Sequence, residues 1–223
     1  MSFGYTHVLE DVDKGGPVTV ETAGGATLEI QEAFLVVSAI EAHMCEPELA
    51  LGETLWELAV PSAHAHVPSS ATRLGVPFVE DLFSKGGKAS IVGEVSPPAG
   101  TYCKFYAVVS PADADIMNLT DLSTSDVVGK SMLVRGRISG ADTDKWKAFE
   151  ISSDARHVVG FDAVDPRTGE SPIALEEGGA SQMILLEKTV SPALFDQLDE
   201  HAIDDGSAAE VILERLENTF RVK

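Results

Sequence analysis

The chain has 223 residues, 44% apolar and 23% charged, enough for a sizeable core and unlike a disordered segment. Lysine and arginine number 16 against 36 aspartates and glutamates, a formal charge of −20 that repels phosphate backbones and so argues against nucleic-acid binding. No run approaches the ~20 apolar residues that cross a bilayer, so no transmembrane segment is expected; the opening MSFGYTHVLEDVDKGG also lacks signal-peptide regions, and an exported form is expected to have shed its leader.

In chain order, strand-like runs dominate: FGYTHVLE, PVTVET, ATLEIQEAFLVVSAIEAHMC, KASIVGEV, TYCKFYAVVS, KSMLVRGRI, WKAFEIS, RHVVGFDAV and ASQMILLEKTV. In the longest, strict alternation puts Phe34, Val36, Ser38, Ile40, Ala42 and Met44 on one face and Leu35, Val37, Ala39, Glu41, His43 and Cys45 on the other. Both faces begin apolar, which predicts a central strand. Pro47 to Phe83 is the least regular stretch of the first half, and SPPAG and DPRTGE carry the proline and glycine of tight turns. The period changes near the end. Ser191 with Pro192 opens one predicted helix in SPALFDQLDEHAI, and Ser207 opens a second in SAAEVILERLENTF, whose apolar stripe runs to Phe220. The expectation is an all-β, largely antiparallel β-sandwich with two short C-terminal helices, one domain over 1–223 with 190–223 as a helical appendage.

Two cysteines are too few for a thiolate zinc site, and they lie in different predicted strands. A Cys45–Cys103 disulfide is the natural pairing; the alternative is two unrelated buried thiols. The bond closes about 58 residues and in the chain-entropy account contributes ~4 kcal/mol. It also implies an oxidising compartment outside the cytoplasm.

Chemically versatile side chains cluster in PSAHAHVPSSATRLGVPF. His64 and His66 are two residues apart, and in extended backbone residues i and i+2 point the same way, so two imidazoles can converge on one metal ion. Pro61 and Pro68 favour that extended form. His43, just before Met44 and Cys45, is the candidate third ligand. Copper suits imidazole with methionine and zinc suits imidazole with carboxylate, and the spacing does not choose between them. The other reading of all three histidines is structural. Acidic runs in PADAD, ADTD and DEHAIDDG complete no calcium loop and read as turns or caps. There is no GxSxG elbow, phosphate loop or HExxH, and nothing in the residues points to an enzyme.

The stretches HVPSSATRLGVPF, SPPAGTYCKFYAVVSPADAD, VVGKSMLVRG and ALFDQLDEHAIDDGSAAEVILERLENTFRV together resemble the methanobactin-associated partner protein family and related periplasmic or outer-membrane lipoproteins of bacteria, myxobacterial ones included. The likeness runs from about residue 28 to the end of the chain. It implies an extracytoplasmic, secreted or lipoprotein-like β-sandwich encoded beside copper-handling or haem-peroxidase-like partners, some members binding a copper ion through histidines and an oxidised tryptophan. Carried over residue by residue, the histidine segment falls on His64 and His66, and the nearest indole is Trp56, eight residues before His64. Trp146 lies in a strand-like run where packing explains it. The alternative class is a non-catalytic surface or periplasmic interaction module, or an accessory partner of a haem enzyme.

Overall fold

The structure is a computed structural model that describes residues 1–9, 17–45, 69–75, 77–83, 90–117, 124–140, 145–165, 167–178, 183–190, 192–216 and 220–222. The strands are β1 (Ser2–Leu9), β2 (Val18–Glu21), β3 (Thr27–Met44), β4 (Arg73–Leu74), β5 (Phe78–Asp81), β6 (Ser90–Glu94), β7 (Gly100–Val109), β8 (Met132–Ser139), β9 (Trp146–Ser153), β10 (His157–Asp162), β11 (Ile173–Leu175), β12 (Met183–Val190) and β13 (Phe220–Val222). Among the described residues there are three short α-helices: α1 (Thr124–Val127), α2 (Glu200–Asp205) and α3 (Ala208–Arg215).

Nine of the described strands form one sheet with the central order β10-β7-β3-β8-β9; β11 pairs with β7, and β2, β4 and β5 pair with β3. The second sheet runs β13-β12-β1-β6. Among the described strands every pairing is antiparallel except β1 with β12. The fold is therefore the expected all-β, largely antiparallel architecture with short C-terminal helices, and all nine strand-like runs became strands. One apolar core draws on both sheets: Ile184 of β12 joins Leu28, Ile30, Leu35, Phe105, Val134 and Phe161 of the larger sheet. Where the layers meet, Leu74 fills the space above Gly93, so that a Cβ there would fall 2.5 Å from Leu74 Cδ1.

β3 lies at the middle of the large sheet, and residues 33–40 are buried on both faces. Its two apolar faces have two different partners. Phe34 and Val36 pack with Val79, Ala112, Ile116 and Val127 in a smaller cluster, and Ala33, Leu35, Val37 and Ile40 face the main core. Strict alternation fails here, however. The main core takes Leu28 and Ile30, then Ala33, Leu35 and Val37, then Ile40 and Ala42, so the parity changes twice. Each change coincides with a register irregularity, against β8 between Ile30 and Glu32 and against β7 between Val37 and Ala39. An extra residue turns every later side chain to the opposite face. Ser38 sits at the second irregularity, and its buried hydroxyl donates to the Val108 carbonyl at 3.1 Å. Ile40 and Ala42 thus share a face with Leu35 and Val37, contrary to the simple period-2 expectation.

The C-terminal helices also depart from expectation. Pro192–Leu194 is a single 3₁₀ turn, and α2 starts only at Glu200, where the Asp199 carboxylate accepts the Ala202 N–H at 2.7 Å. Carbonyls that a continuous helix would use are engaged elsewhere: Asp196 O accepts from Ala23 N, and Ala193 O accepts from Arg215. Ser191, the expected cap, lies outside the described residues. Ser207 precedes α3 as expected but makes no side-chain cap bond. Phe220 does not extend the helical stripe. It stands in β13, which pairs with β12 through Lys188 and Phe220. α3 buries Ala208, Ala209, Ile212 and Leu213 in the main core, and Lys147 of β9 holds Asp204 of α2 at 2.7 Å. Among the described residues no helix is long and apolar enough to cross a membrane.

Candidate functional site

Beyond its second irregularity β3 turns Ile40 and Ala42 into the core, which leaves Glu41 and His43 on the opposite, outer face. The ladder then fixes their neighbours. Arg73, Glu41, Tyr106 and Gly160 are successive partners across β4, β3, β7 and β10, and His43, Lys104 and Asp162 form the next row. Such directly opposed pairs bring side chains on one face into contact.

Within this patch the interactions are directed at Glu41 and His43. Arg73 donates to Glu41 Oε2 twice, from Nε at 2.9 Å and Nη2 at 2.6 Å. The other carboxylate oxygen, Oε1, lies 3.3 Å from His43 Nε2. Nε2 is buried and makes no hydrogen bond of normal geometry, so the contact with Oε1 is one of proximity. Burial pushes the Glu41 carboxyl up, but His43 and Arg73 outweigh it and hold the group below the usual glutamate range. The imidazole meets Tyr106 edge-on, ring centroids 4.6 Å apart at 68°. Tyr106 in turn lies against Gly160, where a Cβ would come within 2.9 Å of Tyr106 Cε1. Lys104, opposite His43, is engaged by Asp162 at 2.6 Å.

At the end of β3, Cys45 is bonded to Cys103 with Cα atoms 4.9 Å apart, as expected from the sequence, and no free cysteine remains. Cys45 N also donates to Thr101 O at 2.7 Å, and Ala42 N donates to Thr72 O at 2.9 Å. The chain is therefore tied to the sheet at Cys45, before residues 46–68, and at Thr72, after them.

Of the residues singled out in the sequence, His43, Cys45 and Cys103 are described; His64, His66 and Trp56 lie outside the described residues. Among the described residues no three His, Cys, Asp or Glu side chains are grouped to hold a metal ion. The acidic runs serve locally where they are described: Asp113 accepts Asp115 N at 3.0 Å, and Asp205 accepts Ser207 N at 2.8 Å. The Arg137 guanidinium lies 4.7 Å from the centre of the partly exposed Trp146 ring. Sequence reasoning missed Glu41, Arg73 and Tyr106 as the surroundings of His43. Glu41 carried a signal, two residues from His43 on one strand; Arg73 carried none. The chain matches no family model, no curated protein and no solved structure.

Proposed function

We propose that this protein is an extracytoplasmic, non-catalytic metal-handling β-sandwich that binds a copper ion with His43, His64 and His66. The observation that supports this most is the anchoring of the chain around His43. The excursion bearing His64 and His66 departs at Cys45, two residues past His43, and returns at Thr72, bonded to Ala42. The donor chemistry fits as well. An imidazole backed by a carboxylate is the usual setting of a histidine ligand, and nitrogen donors suit copper. The disulfide supports an oxidising location, and the family resemblance points the same way.

The competing reading is an interaction module that uses its histidines structurally. Met117 and Val128 favour it: at 41% and 42% exposure they stand beside the smaller apolar cluster. Calorimetric titration with Cu(I) and Cu(II) separates the two. The parent should bind one equivalent of copper, the His64→Ala/His66→Ala double variant should lose tight binding, and His43→Ala should weaken it, all with the fold retained. Metal competes with protons for imidazole, so affinity should fall on acidification. A parent that binds neither ion rejects the copper reading, and equal affinity in the double variant places the site elsewhere.

A further inference from the structure

We infer that Glu41 is a positioning residue that fixes His43 as its Nε2–H tautomer, making Nδ1 the nitrogen available to a ligand. The assignment follows from which atoms lie nearest each other, in a contact that is electrostatic rather than a hydrogen bond of normal geometry. Glu41 Oε1 lies 3.3 Å from His43 Nε2, and a carboxylate oxygen only accepts. A lone pair on Nε2 would oppose the lone pairs of Oε1 inside a region where that nitrogen is shielded from water. The proton therefore belongs on Nε2, and in the neutral ring the lone pair belongs on Nδ1.

The carboxylate cannot turn away from this task. Its second oxygen, Oε2, takes both Arg73 bonds. Arg73 is itself placed by its ladder position opposite Glu41 and by its backbone N–H, which donates to Ser70 Oγ at 3.1 Å. Tyr106 meets the imidazole and rests on Gly160. Lys104, the nearest cation in the facing row, is occupied by Asp162. The consequence for binding rests on the copper reading above; the tautomer does not.

The test uses the metal-free full chain. Long-range ¹⁵N–¹H correlation spectra are recorded near pH ~8, where free imidazole is neutral, with His43 assigned by its absence in His43→Gln. The parent should show a protonated Nε2 and an unprotonated Nδ1. Glu41→Gln gives a sharper result. The Arg73 guanidinium has only donors, so the new amide must turn its oxygen to Arg73 and its NH₂ to His43. That NH₂ requires a lone pair on Nε2, and the ring should switch to the Nδ1–H tautomer. A parent in the Nδ1–H form, a ring protonated on both nitrogens, or a tautomer unchanged in Glu41→Gln would overturn the assignment. If that variant fails to fold, the parent spectrum alone decides.

Copper titration of the same two proteins keeps the two ideas apart. With Nδ1 as the ligand atom, Glu41→Gln should bind about 10–100-fold more weakly. The assigned tautomer in a parent that binds no copper supports the inference and sinks the copper reading. Copper binding with no tautomer switch does the reverse.

Discussion

Gly136 lies directly against the main chain of Glu29, so close that a Cβ at position 136 would collide with the Glu29 carbonyl oxygen and stand 3.1 Å from Ile30 Cα. Phe149, its cross-strand partner on β9, covers the glycine, with Cζ 3.0 Å from the same point. This is where β3 passes its first irregularity, and backbone cannot retreat as a side-chain end can. Gly136→Ala should therefore cost about 2–3 kcal/mol, read from urea midpoints. Gly24→Ala is the control. Its nearest neighbour would be Thr22 Oγ1 at 3.9 Å, and the change should stay within about 0.5 kcal/mol.

The Cys45–Cys103 bond joins residues 58 apart in the chain. Protein purified without reductant should show no free thiol by intact mass after alkylation. Replacing both cysteines by alanine should lower stability by about 4 kcal/mol if loop closure in the unfolded chain dominates. A loss under about 1 kcal/mol would mean that the paired ends of β3 and β7 hold each other without the bond.

Asp165 offers a pH signature. The Arg167 side chain and backbone N–H, with Thr168 adding to them, bring its carboxyl down to about 2 from an ordinary 3.8. A lowered folded-state value means the unfolded chain binds the proton first as pH falls. Its contribution is therefore complete above about pH 4 and fades between about 4 and 2. Asp165→Asn should lose about 1 kcal/mol at neutral pH, and its stability should fall less steeply than the parent's over that acid window, measured by urea unfolding at stepped pH.

Gly160→Ala tests how His43 is held. The new methyl would meet Tyr106 Cε1 at 2.9 Å and Cδ1 at 3.2 Å, so the phenol ring must move. Because that ring meets the imidazole edge-on, the ring-proton resonances of His43 should shift while stability changes by only about 1 kcal/mol. Unmoved His43 resonances would show that Tyr106 does not set its position.

Period-2 patterning and turn residues were enough to locate nine strands, the doubly buried centre of β3 and the partnership of the two cysteines, because each depends on neighbouring residues or on simple counting. The short strands β4, β5, β11 and β13 were not legible. Two to four residues hold no readable period, and pairing with long neighbours is what makes them strands. The same limit hid the parity changes in β3. A slip of one residue is fixed by how β8 and β7 dock, and it decides that Ile40 faces the core and that Glu41 and His43 do not. His43 was visible as a polar residue at a strand end, but its setting was not. Arg73 lies 32 residues from Glu41 in the chain and Tyr106 comes from a different strand, and only sheet pairing brings both to the imidazole. The sequence determined which segments are extended and which cysteines pair; the tertiary structure decided which face each side chain takes, because register is a property of two strands together.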